Sequence, residues 1–288
     1  ARIETHQSND ASVIRRVDED FVAADLREAL RTGELELYAQ PIVPLRPQGG
    51  HPLGFELLLR LPGEESVEGS AGRLVAVAQR FQLLTLLDRF VVDRAFTILA
   101  PYREVLAAQR ISVSINVSGA SLCDPDFTAH FVRQMQAARL PPGSIVVEIT
   151  EQVALGDPMR AGEAMRGLRA AGCGIAIDDF GTGANSLSYV HQLPVTRLKI
   201  DGSFVRDILT NKRSEAALKG IVQLARDFVL QTVGEHIESR EQAQFLRRLG
   251  VDFGQGYLFG RPQTLDDVMD AVAEQDTATL RCMQGTHF

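Results

Sequence analysis

The sequence is short of the residues that mark several common kinds of site. Three cysteines, Cys123, Cys173 and Cys282, are odd in number and widely spaced, which excludes a disulfide framework or zinc knuckle and makes a reducing cytoplasm the default compartment. Six histidines, among them His130, His191 and His236, show no H-E-x-x-H or comparable spacing, so any metal should be bound through oxygen. Basic residues are outnumbered: 30 Lys and Arg face 37 Asp and Glu, a formal charge of -7 that argues against tracking DNA. A small anionic ligand would need local cations. Apolar stretches are broken by charge well before the about 18 residues of a membrane span, and the polar N-terminus lacks a signal-peptide pattern. No membrane contact is expected of this segment, although a missing upstream region could still anchor the full-length protein.

What is present is 45% hydrophobic content over 288 residues, enough for one large core. The organising stretch is Gly174-Ile-Ala-Ile-Asp-Asp-Phe-Gly-Thr-Gly183. Ile175, Ala176 and Ile177 are apolar on both faces, as in a strand covered on each side of a parallel sheet. Two carboxylates follow at once. Neighbours in a strand point to opposite faces, so Asp178 and Asp179 converge only if the strand breaks, which Gly181 and Gly183 permit. Held together they repel, and a hard divalent cation neutralises them. Taken alone, the same residues would serve equally well as a solvated turn.

Residues 1–21 are polar and read as a linker or connecting helix from an upstream domain, with a helix to about Leu30 that ends near Gly33. Strand candidates follow at Leu35–Leu45 (interrupted by Pro41), Leu53–Leu61, Arg110–Val117, Ser144–Thr150, the Asp-Asp stretch, Arg197–Asp201, 232–237 and 252–259. Helical patterns at 74–108, 127–140, 159–172, a short one leading to Arg197, 213–230, 239–249 and 264–275 alternate with them. Eight strands, with steps such as Glu148 to Asp178 near the roughly 30 residues of a β-α-β unit, predict an α/β (β/α)8 barrel over residues 22–275 and a tail at 276–288.

Active sites of such barrels form at the carboxyl ends of the strands, where Glu56, Asn116, Glu148, Asp178, Asp179, Lys199, Glu235 and Gln255 all fall. Each has an ordinary explanation singly, as a turn former or an ion-pair partner. Jointly the acids would be costly to bury unpaired, and convergence on metal is the simpler account. Carboxylates with an amide oxygen select Mg²⁺, Mn²⁺ or Ca²⁺ over zinc.

The ordered pieces Gln40-Pro-Ile, Glu56-Leu-Leu-Leu-Arg60, Ser114-Ile-Asn116-Val-Ser, Glu148-Ile-Thr-Glu151, Asp178-Asp-Phe-Gly-Thr-Gly183, Leu198-Lys-Ile-Asp201, Gly234-Glu235 through Glu238 and Gln255-Gly-Tyr257 resemble the EAL-domain cyclic di-GMP phosphodiesterases of bacteria. The resemblance implies a modified TIM barrel whose first strand is antiparallel. It implies that Glu56, Asn116, Glu148 and Asp178 hold one Mg²⁺ or Mn²⁺, that Asp179 with Asp178 holds a second, and that Lys199 orients the attacking water. Glu235 would act as base or metal carboxylate, Gln255 would complete the site, and Arg60 would meet a substrate phosphate. Gln40 would lie near the substrate path, Asp201 and Glu238 would support the site, and Glu151 would anchor the loop after Asp179. The implied reaction is hydrolysis of cyclic di-GMP to linear pGpG, inhibited by Ca²⁺, in a homodimer whose full chain carries an upstream sensory or GGDEF-type domain.

The pattern is altered in three places. Glu56-Leu-Leu stands for the signature Glu-Ala-Leu, His236 stands beside Glu235 where a small residue is usual, and Ala184-Asn185 replaces an aromatic and a small polar residue. Two rival functions follow: a cyclic di-GMP receptor that binds with weak or no cleavage and, on fold analogy alone, a Schiff-base aldolase using Lys199.

Overall fold

The computed structural model describes residues 22–46, 54–61, 70–181 and 190–274. Strands run at β1 Glu36–Pro44, β2 Gly54–Arg60, β3 Ser112–Asn116, β4 Ile145–Thr150, β5 Gly174–Phe180, β6 Arg197–Ile200, β7 Gln231–Gly234, β8 Phe253–Gln255 and β9 Gln263–Thr264. From β2 to β8 each strand pairs in parallel with the next. β1 lies antiparallel between β8 and β2 and closes the ring, giving a TIM-like barrel of eight strands with the antiparallel first strand that the resemblance implied. The two-residue β9, absent from the sequence reading, pairs with Tyr38 and Ala39 of β1.

Helices occupy α1 at 22–32, then α2 Ser70–Arg80, α3 Leu84–Leu99, α4 Arg103–Gln109, α5 Gly119–Leu122 and α6 Pro125–Ala137. They continue as α7 Glu151–Gly156, α8 Pro158–Ala170, α9 Gly202–Arg206, α10 Lys212–Asp227, α11 Arg240–Leu249 and α12 Leu265–Ala273. The single helical pattern expected over 74–108 is thus several helices, broken by the turn at Phe81–Gln82 and by Pro101. Short α5, α7 and α9 follow β3, β4 and β6 and were not legible as separate elements.

Local chemistry explains most boundaries. Asp124 and Asp157 each accept a backbone N–H at a helix start and are followed by Pro125 and Pro158, whose missing donor costs nothing in the first turn. Ser239 and Gln242 cap α11 reciprocally, and left-handed Gly250 (φ 99°) ends it. Pro41 sits inside β1 at the point where its second partner changes from β9 to β8. The inner strands are buried on both faces, as helix-covered parallel strands must be: β4 is buried from Ile145 to Ile149. The main core lies between strands and helices, with Phe96 and Phe131 edge to face at 5.1 Å. Each such phenylalanine, once buried, stabilises the fold by about 1.5–3 kcal/mol.

Candidate active site

At the tip of β5 the ladder with β6 slips between Ile177 and Phe180. Asp179 takes a left-handed backbone (φ 54°), followed by Gly181 at φ 103°. The break expected from Gly181 and Gly183 therefore begins earlier, at Asp179 itself, a residue type that tolerates this conformation better than most. Gly183 lies outside the described residues, as do Thr182, Ala184 and Asn185. A side chain at Gly181 would meet Phe204 at 2.9 Å, so the glycine is needed for space as well as backbone. Gly181 N–H donates to Glu151 Oε2 at 3.1 Å, which ties the start of the loop to the first residue of α7.

Strand alternation puts Lys199 inside the barrel, where its ammonium meets four acids from four other places in the ring. Its Nζ lies 3.1 Å from Glu56 Oε2, 2.8 Å from Glu148 Oε2, 3.1 Å from Asp178 Oδ1 and 2.9 Å from Glu235 Oε1. Glu56 is further held by Asn116 Nδ2 at 2.7 Å and by Gln255 Nε2 at 2.7 Å, and that second amide also reaches Gln40 Oε1 at 3.1 Å. Glu148 is fully buried; its Oε2 touches Lys199 without hydrogen-bond alignment, and its Oε1 has no partner among the described residues. Glu235 is the first residue after β7 and not part of a longer strand to 237, and β8 stops at Gln255 because a turn closes from Gly256 to Phe259.

One ammonium does not balance this many acids. Burial pushes the Glu148 carboxyl up to about 7 against the attraction of Lys199, and burial carries Glu235 well above the carboxylate range. Asp179 is raised by burial and then by the charges of Asp178 and Asp201. Burial would raise Glu56 too, but the Lys199 charge and the hydrogen bonds from Gln255 and Asn116 outweigh it and hold the group low. Burial opposes the Lys199 charge, yet Glu148, Glu235, Glu56 and Asp178 raise its pKa well above the usual value. A Schiff base needs a neutral amine, so this lysine is the wrong nucleophile and the aldolase alternative fails.

Surplus carboxylate with unfilled oxygens fits a hard cation. Among the described residues two sets of carboxylates bring their oxygens within 4.8 Å of one another: Glu56, Glu148 and Asp178, and Asp178, Asp179 and Glu235. Asp178 belongs to both.

Glu56, Asp178, Asp179 and Glu235 open into a cavity of about 780 Å³ that Gln40, Arg60, Arg206, His236, Glu238 and Tyr257 also line, with Glu148 buried behind them. Arg60 is buried under Tyr38, its guanidinium 5.9 Å from the ring centre, and donates to Leu59 O at 2.8 Å. Asp201 does not line the cavity; it caps α9 through Ser203 N–H at 2.9 Å. Sequence reasoning missed Arg206, at the end of α9, where a basic residue looks like any solvated one. His236 takes φ 53° and lies against Gly202, where even a methyl group would come within 2.3 Å of its ring.

The family model described as EAL domain matches residues 23–262. The chain belongs to the EAL domain family. Cyclic di-GMP phosphodiesterase PdeF of Escherichia coli (strain K12) is 33% identical over 271 residues, covering 93% of this chain and 36% of that protein. Cyclic di-GMP phosphodiesterase PdeB of Shewanella oneidensis is 34% identical over 243 residues, covering 84% of this chain and 28% of that protein. The chain thus spans about a third of the length of these curated relatives. Among solved EAL structures, the PaMucR phosphodiesterase in its c-di-GMP complex superposes with a TM-score of 0.77 at 31% identity, covering 86% of this chain and 99% of that one. No helix among the described residues is long and apolar enough to cross a membrane.

Proposed function

We propose that this EAL domain hydrolyses cyclic di-GMP to linear pGpG with two divalent cations, Mg²⁺ or Mn²⁺. The observation that carries the reading is Asp178 shared between two carboxylate sets around one buried ammonium. The named activities of PdeF and PdeB support the substrate.

Glu56, Glu148 and Asp178, with the Asn116 amide oxygen, would hold one cation, and Asp178, Asp179 and Glu235 the other. Bound there, divalent cations supply an activated water and Lewis-acid stabilisation of the phosphodiester. Lys199, fixed by its four contacts, orients that water and adds positive charge toward the scissile phosphate. Arg60 and Arg206 offer cations to the phosphates from the cavity wall, which is how an acidic protein takes an anionic dinucleotide. Gln40, Gln255 and Glu238 position the substrate. Glu235, at the edge of the second carboxylate set, serves as base or as cation ligand. Water adds across one P–O bond, leaving a phosphate on one guanosine and a hydroxyl on the other.

The assembly is proposed as a homodimer, with a sensory or GGDEF-type domain upstream in the full protein and Ca²⁺ as an inhibitor whose larger shell misplaces the water. Chromatography of nucleotides after incubation with cyclic di-GMP and Mn²⁺ tests the reading. Appearance of pGpG is expected, and cyclic di-GMP recovered intact from a chain that binds it would establish the receptor instead.

A further inference from the structure

Directly beneath the acid cluster lies a buried charge that the proposed reaction does not use. Arg197 opens β6 two residues before Lys199, so both side chains share the inward face of the strand. It is 6% exposed, and its Nε and Nη1 have no hydrogen-bond partner among the described residues. Its Nη2 donates to Gln231 Oε1 at 3.2 Å, and the guanidinium stacks over Phe253 with 5.0 Å to the ring centre. These two contacts fix the cation without satisfying it. Burial lowers its pKa, and the charges of Glu148 and Asp252 pull the other way.

Register places Glu148 and Arg197 on one rung. Glu148 pairs with Ala176, and Ala176 with Arg197, so the three stand on one rung of β4, β5 and β6. Ala176, next but one to inward-facing Asp178, carries a single methyl into the space between acid and guanidinium. Glu148 Oε1 and Ser114 Oγ, both fully buried, also have no hydrogen-bond partner among the described residues. Buried donors and acceptors left like this normally meet enclosed water, which needs two to four polar neighbours.

We propose that Arg197 is a positioning residue for Glu148: held by Phe253 and Gln231, it steadies the Glu148 carboxylate across Ala176 through enclosed water and so raises the affinity of the site for a divalent cation. The inference rests on the reading of Glu148 as a cation ligand. Groups standing behind metal ligands in this way change metal affinity by about 10–100-fold when removed.

Calorimetric titration of the chelator-treated chain with Mn²⁺ alone tests it, with thermal melts reporting the fold. Arg197→Met keeps an apolar stem against Phe253 and should weaken Mn²⁺ binding about tenfold. Arg197→Lys restores the charge and should bind within about threefold of wild type. An Arg197→Met chain that melts normally and binds Mn²⁺ as wild type does would overturn the proposal, as would a lysine variant weakened as much as the methionine one. Should Arg197→Met fail to fold, Ala176→Val carries the test: it fills the space between the two charges while leaving both, and unchanged Mn²⁺ affinity there would overturn the proposal too. A wild-type chain that binds no Mn²⁺ overturns the reading of the whole site, which is a different result from a site that binds but ignores Arg197.

Discussion

Among the described residues, six that are not glycine adopt a left-handed backbone, and they divide by place and purpose. Gln82, Arg110, Arg139 and Val229 are exposed and follow the C-termini of α2, α4, α6 and α10. In each case the next residue is apolar and its N–H returns to a carbonyl five back, as in Leu83 to Ala78 and Leu230 to Ala225, so the twist stops a helix and recovers its cost in a hydrogen bond. Asp179 and His236 lie elsewhere, at the tip of β5 and just past β7, both on the cavity. Their twist ends no helix; it swings Asp179 off the strand line and opens the backbone directly after Glu235. Strain of about 1–3 kcal/mol per such residue persists only where something else holds it, here the site.

The largest effects are expected at the strand ends. Glu56→Ala or Asp178→Ala should cut turnover by at least about 10²–10³-fold, the loss typical when a group stabilising transition-state charge goes, while the melting curve stays cooperative. Asp179→Gly should do the same although it relaxes the backbone; near wild-type rates in purified chain would make Asp179 just another loop stop. Next in size is Glu151→Ala, which releases Gly181. We expect turnover to fall about tenfold or more with cyclic di-GMP affinity, measured in Ca²⁺, little changed, because Arg60 and the deeper acids stay in place. A parallel loss of affinity would contradict that split.

A smaller effect is set by pH. An unfolded glutamate ionises near 4.5, whereas Glu148 in the folded chain holds its proton to about 7. Between those values the native state binds the extra proton, so metal-free stability falls as pH rises through the window; Glu235 acts in the same direction. Glu56, held low, gains its contribution above 4.5 and lies outside the window. Melts in chelator at pH 5 and pH 8 should therefore differ by several degrees, with the acidic sample the more stable, and Mn²⁺ should restore the alkaline one because cation binding needs these carboxylates ionised. A flat profile would deny the surplus of buried acid. Smallest is Val229→Gly, at a residue 91% exposed with φ 56°. Removing a β-branched side chain from that backbone should stabilise the chain by about 1 kcal/mol with turnover unaltered, as denaturant titration and product assay would show.

Legibility followed the same division. Glu56, Glu148 and Lys199 stood out because charge inside an apolar strand has few explanations, and the structure brings all three into contact. The barrel was readable because its strands are apolar on both faces and its long helices amphipathic. Elements of two to six residues such as β9, α5 and α9 carry too little pattern to be read. Arg206 could not be ranked from sequence, since a cation on a helix end serves solvation equally well, and Asp201, which the resemblance named as a supporting residue, caps α9 outside the cavity lining. The left-handed Asp179 was not legible because aspartate tolerates that conformation without requiring it. The loop holding Ala184 and Asn185 lies outside the described residues.

In the proposed reaction two cations share Asp178 and chemistry needs both. Chelator-treated chain should be titrated with Mn²⁺ while binding is followed by calorimetry and pGpG formation by chromatography on the same samples. Two equivalents of Mn²⁺ are expected to bind per chain, with product appearing as the second is taken up. Full turnover at one equivalent, or cyclic di-GMP bound and uncut at saturating Mn²⁺, would contradict it.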